Sequence, residues 1–281
     1  MRVASAQFSL RPLRSSEEFW RRLDSLAKAA ARKKTDVLLL PEYFSLGLAA
    51  IIPAKINFYQ RLRRVALEFD STVARICRVA AERKIAIIAG TLPAFERGRL
   101  VNRCPIVLPG RKPIYQDKIQ MTRFEAEEWR VSGGKPRFEI FKWGGMKCAV
   151  AICYDVEFPG LTQALARQRV EAIFVPSCTD DKQGYWRVRH CAQARAIENQ
   201  SYVIMSSIVG GNEKFPEING HYGRAGVFSP CDVGFPEAGV IATSGFAGEG
   251  LVYADLSAPR LKKVRTAGTV LNLRDALSGS R

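Results

Sequence analysis

Histidine is scarce in this chain: there are two, His190 and His221. Neither has a histidine or cysteine partner at a metal-ligand spacing, so no zinc site is expected, and no cofactor is called for. No run of about 18 or more uncharged apolar residues occurs, which excludes a transmembrane helix at this level. The opening MRVASAQFSL lacks the apolar stretch of a signal peptide and alternates like a strand. The seven cysteines are odd in number and contain no C-x-x-C pair, a pattern of reduced thiols rather than a disulfide framework. A cytoplasmic protein is therefore expected. Signatures of RNA-binding sheets and zinc fingers are also missing. The formal charge of +16 is spread along helical stretches (Arg21, Arg22, Arg32, Arg61, Arg63, Arg64, Arg83) and not gathered with aromatics. That reads as a solvated face, and nucleic-acid binding is not expected. With no linker rich in Pro, Gly or Ser, residues 1–281 read as one domain, its core at about 1–257 and a basic, weakly patterned tail at about 258–281.

What is present is 47% hydrophobic, enough for a sizeable core. Residues 2–8 read as a first strand. Ser15 or Ser16 caps a helix to about residue 33, with Trp20, Leu23 and Leu26 as its apolar stripe. Residues 37–40 are continuously apolar, as in a strand buried on both faces. Residues 43–60 look irregular, with Gly47 and Pro53. A long helix is predicted over 59–84, with a possible break at Asp70-Ser71. Further strands are predicted at 85–90, at 100–108 paired with 112–118, at 138–143 leading into 148–152, at 172–176 and at 202–209. Others fall near 223–229, 239–243 and 250–256. Helices are predicted at 158–169 and 185–200, and loops at 119–136 and from Gly210-Gly211 to about 221. Strands and helices alternate, but hairpins interrupt them, which predicts an α/β sandwich of layered mixed sheets. Residues 36–42 and 171–177 share one shape, acid, apolar strand, proline and polar residue, a weak sign of internal symmetry.

Three strand ends present chemistry: Glu42 after Leu40-Pro41, Lys118 after Gln116-Asp117, and Cys153 after Ala151-Ile152. Strand ends are where sites form in open α/β folds. An acid, a cation and a thiol can hydrolyse an amide without histidine. The carboxylate takes the thiol proton and returns it to the leaving amine. The ammonium can depress the thiol pKa and stabilise the oxyanion, with the backbone N–H of Tyr154 as a second donor. A carboxylate directly after an all-apolar strand is hard to read as surface, which favours a role for Glu42.

These residues resemble the nitrilase, or carbon–nitrogen hydrolase, superfamily over nearly the whole chain. The matching motifs are LLLPEYF (38–44), YQDKIQ (115–120) and AICYDVEFPG (151–160), in the family's order and with its separations. The resemblance implies a four-layer αββα sandwich that pairs into a homodimer or a higher assembly. It also implies cleavage of a non-peptide C–N bond of a small amide through a cysteine thioester. Carried over residue by residue, Glu42 is the general base, Lys118 the electrostatic and oxyanion group, and Cys153 the nucleophile. A further glutamate that orients the site falls on Glu125, with Glu127 and Glu128 as close competitors. Many members have glutamate where this chain has Gly160, a change expected to alter local packing and not the chemistry. Substrate-binding candidates are Tyr43, Tyr154, Cys178, Thr179 and Trp186. A helical tryptophan more often packs, and Asp180-Asp181 more often caps the helix that follows. Alternatives to the amidase are a carbamoyl-amine hydrolase, a nitrilase, or a non-catalytic interaction protein on the same scaffold.

Overall fold

In the computed structural model, which describes residues 1–52, 56–211, 213, 219–245 and 247–278, the opening alternation becomes β1 (Arg2–Leu10). Pro53 and part of the loop expected up to residue 221 lie outside the described residues. Helix α1 (Ser16–Arg32) begins at Ser15, whose hydroxyl accepts from Glu18 N, and carries Glu17 and Glu18 in its first turn. Then come β2 (Val37–Leu40), the short α2 (Leu46–Ala49), α3 (Phe58–Leu67), α4 (Phe69–Arg83) and β3 (Ala86–Ala89). An antiparallel group follows: β4 (Leu92–Glu96), β5 (Arg99–Val107) and β6 (Ile114–Asp117). Next are α5 (Arg123–Glu127) and the hairpin of β7 (Ile140–Trp143) with β8 (Met146–Val150). A 3-10 turn over Cys153–Glu157 leads to α6 (Pro159–Arg167), β9 (Ala172–Ser177), α7 (Lys182–Glu198) and β10 (Tyr202–Gly210). The chain continues through β11 (Gly226–Phe228), β12 (Val240–Thr243), β13 (Gly250–Asp255), α8 (Ala258–Ala267) and α9 (Asn272–Ser278).

The central strands run parallel, β1, β2 and β3 in one half and β8, β9 and β10 in the other, and the continuous apolar runs at β2, β3 and β9 lie among them. Strand β1 joins the halves. Its Val3–Ser5 stretch pairs with β2, and its Gln7–Leu10 stretch pairs with β10. Along its other edge, Arg2–Gln7 pairs antiparallel with β13. Alternation then sorts the side chains. Val3, Val37, Leu39, Ala86 and Ile88 join the cluster that contains the strands of the second half. Ala4, Ala6, Leu38, Leu40 and Ile87 face the other way, onto Leu23, Leu62 and Ile76 of α1, α3 and α4. Leu165, Val188 and Ala192 of α6 and α7 cover the second half. The result is a mixed α/β fold layered helix, sheet, sheet, helix.

The elements differ from the sequence reading in five places. The stretch read as irregular at 43–60 contains α2. The long helix breaks at Glu68, not at Asp70-Ser71: Glu68 closes α3 and precedes α4, and the Ser71 hydroxyl bonds back to its carbonyl. Strand β4 is additional; its Pro93 disguised it, and proline is tolerated there because β4 is an edge strand. The stretch expected to be loop at 119–136 contains α5. The tail at 258–278 is two helices, begun by Ser257 as N-cap and anchored by buried Leu261, Val264 and Leu273. So few apolar residues leave no helical period to read.

Candidate active site

Each of the three strand ends is held by backbone constraints. After β2 the chain turns at Pro41, and Tyr43 adopts a left-handed φ of 51°. Gly90 lies against this turn: a Cβ there would sit 1.8 Å from the Pro41 carbonyl oxygen, and its own φ is 52°. Thr91 Oγ1 accepts from Tyr43 N at 2.8 Å. Glu42 is thereby pinned with 1% of its surface exposed. Lys118, just past β6 and 2% exposed, has its backbone N bonded to Asn102 O at 2.8 Å. Cys153 opens the 3-10 turn with a φ of 46°, a conformation uncommon outside glycine and concentrated at functional sites. Buried Asp155 ties the last two segments together by accepting from Ile119 N at 3.1 Å and Gln120 N at 2.7 Å.

The side chains converge. Lys118 Nζ lies 2.8 Å from Glu42 Oε1 and 2.5 Å from Glu125 Oε2. Glu42 Oε2 accepts from Cys178 N at 3.1 Å. Glu125 closes a capping box with Thr122, whose N and Oγ1 both donate to it, and accepts from Tyr43 OH at 2.9 Å. Asn102 Nδ2 donates to Glu42 at 2.9 Å and to Glu125 at 3.2 Å. Cys153 Sγ lies 3.4 Å from Ser177 Oγ and 3.7 Å from the Cys178 carbonyl oxygen. Of the three glutamates open to the sequence reading, Glu125 is buried, while Glu127 and Glu128 are exposed and Glu127 pairs with Arg123.

Burial raises the Glu42 carboxyl to about 7; Lys118 opposes this, and a hydrogen bond from the Cys153 thiol also favours the anion. For Glu125 burial is again the largest influence, but Lys118 and the Thr122 donors outweigh it and hold the group below its usual range. For Lys118 burial is outweighed by the two carboxylates, which keep it charged. The thiol departs from expectation. Burial and then the Glu42 anion push Cys153 up, and the opposing pull of Lys118 does not outweigh them. Cys153 thus rests as a thiol beside a carboxyl of near-neutral pKa.

These groups open into a cavity of about 210 Å³. Tyr43, Tyr154, Cys178 and Thr179 line it with Glu42, Lys118, Glu125 and Cys153. Trp186 does not: it is 45% exposed, and its ring stacks on His190 with centroids 5.4 Å apart. It is not among the residues that line the cavity, and its exposure keeps it out of the core. Asp181 caps α7 by accepting from Gly184 N at 2.6 Å, and both Asp180 and Asp181 line the cavity. The sequence reading missed Phe124 and Trp129, which also line the cavity, although the Thr122-to-Glu125 capping box was a legible sign of the helix that carries Phe124 and ends just before Trp129. It also missed Glu157 and Arg187, paired at 3.0 Å at the cavity. Gly160 lies in the first turn of α6 with open space around it, so packing does not demand a glycine there.

A layered α/β sandwich with a cysteine, a lysine and a glutamate at its strand ends and a second glutamate on α5 defines a class, and comparison with known proteins bears on it directly. The family model described as carbon–nitrogen hydrolase matches residues 2–266. The chain therefore belongs to the carbon–nitrogen hydrolase family and is a hydrolase of that class. It is 29% identical over 275 residues to the probable hydrolase YhcX of Bacillus subtilis, covering 98% of this chain and 53% of that protein, so it spans about half of that relative's length. It is 27% identical to the omega-amidase NIT2 of Xenopus tropicalis, covering 94% of this chain and 91% of that protein. Among solved structures it is similar to Saccharomyces cerevisiae Nit3, a member of branch 10 of the nitrilase superfamily, with a TM-score of 0.75, 24% identity, and 95% and 93% of the two chains covered. It is likewise similar to the NitN amidase from Neterenkonia sp. AN1, with a TM-score of 0.75, 21% identity, and 98% and 96% covered.

Proposed function

We propose that this chain hydrolyses the C–N bond of a small amide through a thioester on Cys153. The observation that carries this reading is the buried contact of Lys118 with both Glu42 and Glu125 on the same small cavity as the Cys153 thiol. Glu42 takes the thiol proton as Sγ attacks the carbonyl carbon. The oxyanion that forms is stabilised by Lys118 Nζ and the backbone N–H of Tyr154. As the C–N bond breaks, Glu42 returns the proton to the leaving nitrogen, and ammonia or an amine departs. Glu42 then takes a proton from water as its oxygen attacks the thioester; the C–S bond breaks, the acid is released and the thiol is restored. Glu125 fixes the lysine throughout.

A cavity of about 210 Å³ suits a substrate smaller than the ligands of ordinary drug-sized pockets, which run to about 300–1,000 Å³. Tyr43, Tyr154, Cys178 and Thr179 would contact it. The names of relatives, omega-amidases and deaminated glutathione amidases among them, favour an amide over a nitrile. We further read the chain as one catalytic domain, cytoplasmic, and active as a homodimer through a two-fold contact that covers the outward face of α7, where Trp186 and Ile197 are exposed. No helix among the described residues is long and apolar enough to cross a membrane. The test is ammonia release from a panel of small amides, carbamoyl compounds and nitriles. Turnover of an amide that vanishes in Cys153→Ala is expected. Turnover unaffected by that change would count against the thioester on Cys153, and no turnover with any member of the panel would favour a non-catalytic scaffold.

A further inference from the structure

Asn102 has no part in the steps above, yet its side chain touches both carboxylates. It lies on β5 opposite Pro93 of β4, with none of its surface exposed. Its carbonyl oxygen accepts from Lys118 N at 2.8 Å. Its Nδ2 donates to Glu42 Oε1 at 2.9 Å and to Glu125 Oε1 at 3.2 Å. One residue thus fixes the backbone of the lysine and both of its partners. The amide has one sensible orientation, since turning it over would aim Oδ1 at two anions. That orientation leaves Oδ1 without a hydrogen-bond partner, so it is the carboxylates that dictate it.

The chemistry needs such a group. Glu42 and Glu125 share one ammonium, and two buried carboxylates facing one cation favour protonation of one of them. A second lysine would tie up the base, and a third acid would worsen the repulsion. A neutral group with two N–H donors stabilises both anions and adds no charge. We infer that Asn102 is a positioning residue that holds Glu42 and Glu125 apart around Lys118 and keeps Glu42 ionised for proton abstraction. The inference rests on the proposed reading of Glu42 as base and Cys153 as nucleophile.

The test uses the intact protein and iodoacetamide, so it needs no substrate. Alkylation of Cys153, read by mass spectrometry, is expected to quicken with pH as Glu42 ionises. Asn102→Leu removes both donors at similar volume. It should move this acid limb upward by about one pH unit, which is about a tenfold slower reaction below the limb, while leaving the high-pH plateau within about threefold. A variant with the wild-type melting curve and an unmoved limb overturns the inference. So does an equal loss at every pH, which is what a merely structural role would give. If the leucine variant does not fold, Asn102→Ser, which keeps a hydroxyl donor, decides by the same readout: a smaller upward shift supports the inference and an unmoved limb overturns it. If wild-type Cys153 reacts no faster than Cys191 and Cys231, the underlying reading falls and this inference falls with it.

Discussion

A carboxylate that must be ionised to work sets the lowest pH at which the cavity can act. Burial raises Glu42 to about 7, so its protonated form dominates below that pH and its basic form above it. The expected kcat/KM of an amide substrate therefore rises with pH through about 7, and a rate independent of pH between about 5.5 and 8.5 would contradict Glu42 as the base. Glu42→Gln removes the proton acceptor and keeps the shape; it should lower kcat by about 10²–10⁴ with the fold intact. At this scale the sequence was most legible where an ionisable group followed directly on an all-apolar strand, as at Glu42 and Cys153. It was less legible at Glu125, which two neighbouring glutamates resembled until burial separated them. Asn102 gave no signal, since one polar residue inside a strand looks like ordinary alternation. Trp186 misled because a helix turns neighbouring side chains about 100° apart: Arg187 reaches the cavity and Trp186 does not.

Among the elements, the short α5 does more than its five residues suggest. Its N-cap Thr122 both starts the helix and donates twice to Glu125, so one motif supplies local structure and a site contact. Thr122→Ala should cost about 1 kcal/mol in stability from the lost cap. It should also lower kcat by about tenfold, since a hydrogen bond to a charged group contributes about 1.5–3 kcal/mol. Thermal melts and steady-state rates check this, and full activity in the variant would show that Lys118, Tyr43, Asn102 and the backbone N–H of residue 122 suffice to hold Glu125. Elements with a strong period or a continuous apolar run were visible in the sequence: α1, β2, β3, β9 and β10. Those that depend on a cap or an edge position, α5 and β4, were not, because propensity and period carry little of either over five residues. The basic α8 escaped for a related reason, with two buried side chains in ten residues.

For the whole molecule, the excess of 43 basic over 27 acidic residues is a repulsive load on the compact state. Raising sodium chloride from about 50 mM to about 500 mM shortens the Debye length from about 14 Å to about 4 Å and should raise the melting midpoint by a few degrees. A midpoint that falls with salt would mean that ion pairs such as Arg2–Asp255 and Arg83–Asp24 outweigh the repulsion.

Strand β1 binds the molecule in time as well as in space. Its edges are closed by β2, by β10 and by β13, and Leu256 N bonds to the Met1 carbonyl oxygen. A strand near the start of the chain therefore completes its hydrogen bonding only after residue 255 has been made. At about 5–20 residues per second, synthesis leaves that strand waiting on the order of tens of seconds. During that interval its unpaired edges are open to other strands, so the span between β1 and β13 sets how long the nascent chain is exposed to mispairing.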